Sequence, residues 1–152
     1  MQWLARAVAT AGGVGYLPIA PGTAGSLLVV PVLPWVASSY ARGPLATIAG
    51  VLVVVAVAVW AAGAAQRSFG THDDGRVVVD EVAGMLVTGM FLPPSWAAAG
   101  LGFLAFRLFD VWKPPPIGWL DRHVAGGLGV VADDLLAGVY AGVFVRVLLE
   151  VA

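Results

Sequence analysis

The 152-residue sequence contains no cysteine. That excludes a disulfide framework, a thiolate metal site and a cysteine nucleophile. Charge is nearly as scarce. Only 11% of residues are charged and 60% are hydrophobic, whereas a soluble globule carries about a quarter charged residues. A chain of this make-up belongs in a bilayer. The formal net charge of -1 leaves no broad basic surface, which excludes nucleic-acid binding. The glycine-rich stretch near the N-terminus is not followed by Gly-Lys-Ser/Thr and no predicted strand precedes it, so it is not a Walker nucleotide loop. The first residues hold Arg6 but no apolar core with a small-residue cleavage signal, and they are expected to be retained.

What the chain does have is long apolar runs. Leu45 to Ala65 is uncharged over about 20 residues, one hydrocarbon thickness. Val82 to Phe106 is divided by Pro93-Pro94, which predicts a hairpin of two helices over 77–92 and 95–112. Gly12 to Ser26 reads as a glycine- and proline-rich loop leading into Leu27 to Ala37. Gly118 to Ala132 reads as a second glycine-rich loop, after which Asp133-Asp134 opens the last run, Leu135 to Val151. In that run Gly138 and Gly142 make a Gly-x-x-x-Gly face for close helix packing. Met1 to Ala11 predicts an amphipathic helix lying in the interface, with Trp3 and Leu4 as anchors. The expected fold is all-α. It is a single domain, residues 1–152, forming a polytopic membrane helical bundle with about five membrane helices plus the short N-terminal interfacial helix.

If each of those helices crosses, the polar residues fall on one face. It holds Arg6, Arg67, Arg76, Arg107, Lys113 and Arg122, leaving Arg42 and Arg146 for the other, and by the positive-inside rule it is cytoplasmic. Most of the acids collect there too: Asp73, Asp74, Asp80, Glu81, Asp110, Asp133 and Asp134. At about 3 kcal/mol per carboxylate at a helix centre, burying Asp80, Glu81, Asp110, Asp133 and Asp134 unpaired would cost on the order of 15 kcal/mol, comparable with the stability of a whole domain. They must lie near the interface, be paired or bind a cation.

Arg107, Asp110 and Lys113 are spaced three apart and form one polar stripe at the end of an apolar helix, which Pro114, Pro115 and Pro116 then terminate. For such a triplet alone, a salt bridge at the membrane surface explains the pattern as well as a phosphate site does. The carboxylate excess decides between them. Arg107 and Lys113 offset only part of it, and with oxygen ligands and two histidines available the cation should be hard: Mg²⁺, with Mn²⁺ or Ca²⁺ as alternatives. Gly22, Thr23, Gly25 and Ser26 would present N–H groups and hydroxyls to an anion at a helix N-terminus, although on the local sequence alone a simple N-cap by Thr23 or Ser26 is the better explanation. Together these features suit phosphoryl chemistry on a lipid. The competing class is a small cation carrier or channel, for which acids should be spread through the depth of the bundle. The roles of His72, Asp73 and Asp74 stay open.

Four motifs in order resemble the bacterial phosphatidylglycerophosphatase A family: Pro21-Gly-Thr-Ala-Gly-Ser26, Val78-Val-Asp-Glu-Val-Ala-Gly84, Arg107-Leu-Phe-Asp-Val-Trp-Lys-Pro-Pro-Pro-Ile117 and Gly126-Gly-Leu-Gly-Val-Val-Ala-Asp-Asp-Leu-Leu-Ala-Gly138. The resemblance implies a multi-pass enzyme of the bacterial inner membrane, active on its cytoplasmic face. It implies Mg²⁺-dependent removal of the terminal phosphate of phosphatidylglycerophosphate, with the membrane and its phospholipid as partners. It further implies Asp80, Glu81, Asp110, Asp133 and Asp134 as catalytic acids and Asp80, Glu81, Asp110 and Asp134 as metal ligands. Thr23, Ser26, Arg107 and Lys113 become the residues that bind the substrate phosphate.

Overall fold

A computed structural model describes residues 2–70 and 74–151; His72 and Asp73 lie outside the described residues. Among those described, the chain is helical throughout, with no strand. Helix α1 (Gln2–Ala9) leaves Trp3 and Leu4 exposed and buries Ala5 and Ala9, as an interfacial helix with one packed face would. After a short 3-10 turn, α2 (Pro21–Val29) runs through a second such turn into α3 (Leu33–Arg42). Thus the stretch expected as a loop up to Ser26 is already helical from Pro21, where proline at the first helical position has the right φ and needs no N–H partner.

Helix α4 (Pro44–Phe69) packs through Ala58, Ala61, Ala62 and Ala65, all fully buried, while Leu45, Leu52 and Val53 face outward. Small residues inside and large apolar ones outside is the pattern of a helix in lipid. Helices α5 (Val79–Phe91) and α6 (Trp96–Trp112) form the expected hairpin. Pro93-Pro94 breaks the helix, and Ser95 caps the return arm by accepting a hydrogen bond from the Ala98 N–H at 3.1 Å. Three segments, Pro21–Arg42, Pro44–Phe69 and Gly126–Val151, are long and apolar enough to cross a membrane. The hairpin arms have 13 and 17 residues, so they rise about 20 Å and about 26 Å. Five crossings require both arms to pass through as well.

The region from Gly118 to Ala132 differs from the expected glycine-rich loop. It contains α7 (Ile117–His123) and the first two turns of α8 (Gly126–Val151). Asp133 and Asp134 therefore lie well inside a helix rather than at its N-terminus. The physical reason is packing: a Cβ on Gly127 would sit 2.1 Å from the Val59 carbonyl oxygen of α4. Glycine here lets two backbones touch, which outweighs its poor helix propensity.

Candidate active site

Two glycines bring the acids of different helices together. Helices α5 and α8 cross where a Cβ on Gly138 would lie 2.3 Å from the Gly84 carbonyl oxygen, and one on Gly84 would lie 2.5 Å from that of Asp134. On each helix an acid precedes the contact by one turn: Asp80 before Gly84 and Asp134 before Gly138. Residues so spaced lie on one helix face, so the backbone contact sets the two carboxylates side by side. Buried Thr88 ties the crossing, its hydroxyl within reach of the carbonyl oxygens of Gly84 at 3.1 Å and Gly138 at 3.2 Å. The segment before α5 is held as firmly. The Val78 N–H donates to the Ala9 carbonyl oxygen at 2.8 Å, and Gly25 of α2 presses on the Val78 side chain.

The start of α2 lies on Glu81. A Cβ on Gly22 would stand 2.0 Å from Glu81 Oε1 and 3.5 Å from Arg107 Nη1, so any larger residue at Gly22 would displace the carboxylate. Arg107 Nη1 in turn lies 3.8 Å from Glu81 Oε1 and donates to Asp110 Oδ2 at 2.5 Å. Around the other side of the cavity, Lys113 Nζ donates to Asp121 Oδ1 at 2.7 Å and to Asp133 Oδ2 at 2.8 Å. Burial alone would lower the pKa of Lys113, but the hydrogen bonds and charges of Asp121 and Asp133 outweigh it and hold the ammonium above the ordinary lysine value.

These groups line one cavity of about 550 Å³ at one end of the bundle, walled by Pro21 and Gly22, Asp80 and Glu81, Arg107 and Asp110, Lys113, Asp121, Asp133 and Asp134. Ligand-forming oxygens of Asp80, Glu81 and Asp134 lie within 4.8 Å of one another. Glu81 Oε2 and Asp133 Oδ1 are buried without a hydrogen-bond partner, and a buried polar atom left unpaired costs about 1–3 kcal/mol, more when charged. An oxygen-only donor set with an orphaned buried carboxylate oxygen fits a hard cation. Asp110 lines the same cavity but gives one oxygen to Arg107, and it stands outside the three-carboxylate group.

Thr23 and Ser26 are placed differently from the rest. Ser26 is fully buried, and its hydroxyl donates to the carbonyl oxygen of Gly22, one turn back in α2, at 2.9 Å. Neither lines the cavity, where α2 contributes Pro21 and Gly22 instead. Asp74 pairs with Arg76 at 2.6 Å, and the Arg76 guanidinium lies 3.9 Å over the Phe69 ring. Asp121, which the sequence pattern leaves aside, is in the cavity wall. The one signal for it is the proline turn between Lys113 and α7, which folds the chain back on itself but carries no information about direction.

The sequence model of the family described as Phosphatidylglycerophosphatase A matches residues 7–149. A protein of Escherichia coli (strain K12) named Phosphatidylglycerophosphatase A is 39% identical over 133 residues, covering 87% of this chain and 76% of that protein. A Haemophilus influenzae protein of the same name is 39% identical over 77 residues, 50% of this chain and 47% of that one. A Bacteroides thetaiotaomicron protein, provisionally named a phosphatidylinositol-3-phosphatase, is 35% identical over 154 residues, 96% of this chain and 94% of its own. No solved structure matches the chain.

Proposed function

The chain belongs to the phosphatidylglycerophosphatase A family, and on that premise we propose that it hydrolyses phosphatidylglycerophosphate to phosphatidylglycerol and inorganic phosphate, with Mg²⁺ as cofactor. The observation that carries this reading is the carboxylate group of buried Asp80 and Asp134 with part-buried Glu81, which lines one cavity together with Arg107 and Lys113. The enzyme works in the bacterial inner membrane, with both hairpin arms crossing to give about five passes and the cavity on the cytoplasmic side, where the basic residues gather.

Asp80, Glu81 and Asp134 would hold the cation. When bound there, a divalent ion supplies Lewis acidity to a phosphoryl oxygen and makes nearby water a better nucleophile. Arg107, kept in place by Asp110, offers its remaining N–H donors to the phosphate oxygens, as does Lys113 with the N–H left after its two carboxylate bonds. Asp133 holds Lys113 through Oδ2 in the cavity wall, while its Oδ1 is buried away from water. The phosphate oxygens thus meet cations positioned before the reaction, which is what stabilises charge developing in the transition state. A transport pathway would need acids through the depth of the bundle, whereas these gather at one end beside two cations.

Asp110→Asn and Asp134→Asn are the direct tests. Asp134→Asn is expected to abolish phosphate release while the protein still inserts and folds, and Asp110→Asn, which leaves Arg107 unanchored, to lower kcat/KM by no more than the loss of Arg107 itself. Full activity in either variant would remove that residue from the site.

A further inference from the structure

We propose that Asp121 is a positioning residue for this reaction, fixing the direction in which Lys113 presents its free N–H to the substrate phosphate; the inference rests on the phosphatase reading above. Lys113 stands where three helices meet. It ends α6 in a left-handed conformation (φ 48°), its backbone N–H donating to the Phe109 carbonyl oxygen. The chain then turns through Pro114–Pro116 into α7, and Gly118 is pressed so close to the Lys113 carbonyl oxygen that a Cβ there would be 2.9 Å away. That tight turn places α7 so that Asp121 Oδ1 reaches Nζ at 2.7 Å, while Asp133 of α8 reaches it from the other side at 2.8 Å.

An ammonium has three donors in a tetrahedral array. Two carboxylates on different helices fix two of them, and the direction of the third follows. A second consequence concerns Asp133. Its Oδ1 is buried with no partner, and a lysine freed from Asp121 would swing to grip both oxygens, because pairing the orphaned one is favourable. Asp121 holds Lys113 back from that collapse, so Lys113 stays aimed at the cavity and Asp133 keeps one oxygen bare. The Asp121 side chain is 33% exposed, and an ion pair that open to water adds little to folding stability. Its value lies in geometry.

The experiment is a double-mutant cycle on the 152-residue chain in detergent micelles, reading phosphate release from phosphatidylglycerophosphate. Asp121→Asn is expected to lower kcat/KM about tenfold on the wild-type background but less than about twofold on Lys113→Gln, because a residue that acts only through Lys113 has nothing to act on once Lys113 is gone. Asp121→Glu, which restores the carboxylate, should recover activity to within about threefold of wild type. An equal loss on both backgrounds would overturn the proposal and make Asp121 a structural residue. Should Lys113→Gln leave too little activity to measure, the comparison of the two Asp121 variants decides: equal loss in Asn and Glu also overturns it. A wild-type protein that releases no phosphate overturns the phosphatase reading itself, and with it any such role for Asp121.

Discussion

Replacing Gly138 with alanine tests whether backbone contact between α5 and α8 builds the acid site. The added Cβ would stand 2.3 Å from the Gly84 carbonyl oxygen and 3.0 Å from its carbon. Ordinary contact begins near ~3.4 Å, so the helices must part by about 1 Å, since a backbone carbonyl cannot rotate aside as a side chain can. Alanine favours helix over glycine by about 1 kcal/mol, and overpacking costs about 1–3 kcal/mol. The net loss of stability is about 0–2 kcal/mol on these two effects, and the variant should still fold. Activity responds more steeply. Asp80 and Asp134 lie one turn from the contact and separate with their helices, and a displacement of about 1 Å at a reacting centre costs about a hundredfold in rate. The assay is phosphate release from detergent micelles, with Tm measured in the same detergent. Gly100→Ala is the control, because nothing lies within 4 Å of a Cβ at that position, and it should keep the wild-type rate. A Gly138→Ala protein that turns over within about twofold of wild type would mean that the α5–α8 backbone contact does not set the spacing of Asp80 and Asp134.

Other variants separate the roles of the remaining groups. Glu81→Gln should raise the Mg²⁺ concentration needed for half-maximal rate by about tenfold or more, because it removes charge from the three-carboxylate group; an unchanged Mg²⁺ requirement would place Glu81 outside the metal site. Arg107→Gln should cost about 2–3 kcal/mol in kcat/KM, the usual worth of a charge-assisted bond to phosphate, and it also frees Asp110. Equal kcat/KM in wild type and variant would count against that contact. The Lys113 pKa is raised on folding, so its stabilising contribution is fully present below the ordinary lysine value and is lost only as pH climbs through the higher folded value. Thus Tm should show no Lys113-dependent fall between about pH 6 and 9; a fall in wild type that is absent in Lys113→Gln would contradict it.

Several parts of this architecture are legible in sequence because one local rule dominates. Pro93-Pro94 must break a helix, and the pairing of Arg107 with Asp110 follows from the three-residue spacing on α6. Lys113, expected on the same stripe, caps the helix in a left-handed conformation and turns to Asp121 and Asp133 instead. Gly138 and Gly142 signal close packing, and they do pack, against the Gly84 backbone and the Phe91 side chain. Where propensity and packing disagree, the reading fails. Gly126, Gly127 and Gly129 look like loop residues by propensity, yet Gly127 is needed for the approach of α8 to α4, so the helix begins there. Ser26 resembles a phosphate ligand only while α2 is thought to begin after it; with the helix starting at Pro21, its hydroxyl turns to its own backbone. Asp121 was beyond reach for another reason. Its meeting with Lys113 depends on the direction of the turn through Pro114–Pro116, a property of three-dimensional packing that no periodicity encodes.

The most direct measurement is phosphate release from phosphatidylglycerophosphate in detergent micelles by the purified protein, first with Mg²⁺ and then with EDTA. A lipid phosphatase built around Asp80, Glu81 and Asp134 should release phosphate with Mg²⁺ and stop when the ion is chelated. Release that continues undiminished in EDTA would contradict the cation site, and no release in either condition from folded protein would contradict the phosphatase and turn attention to cation flux in vesicles.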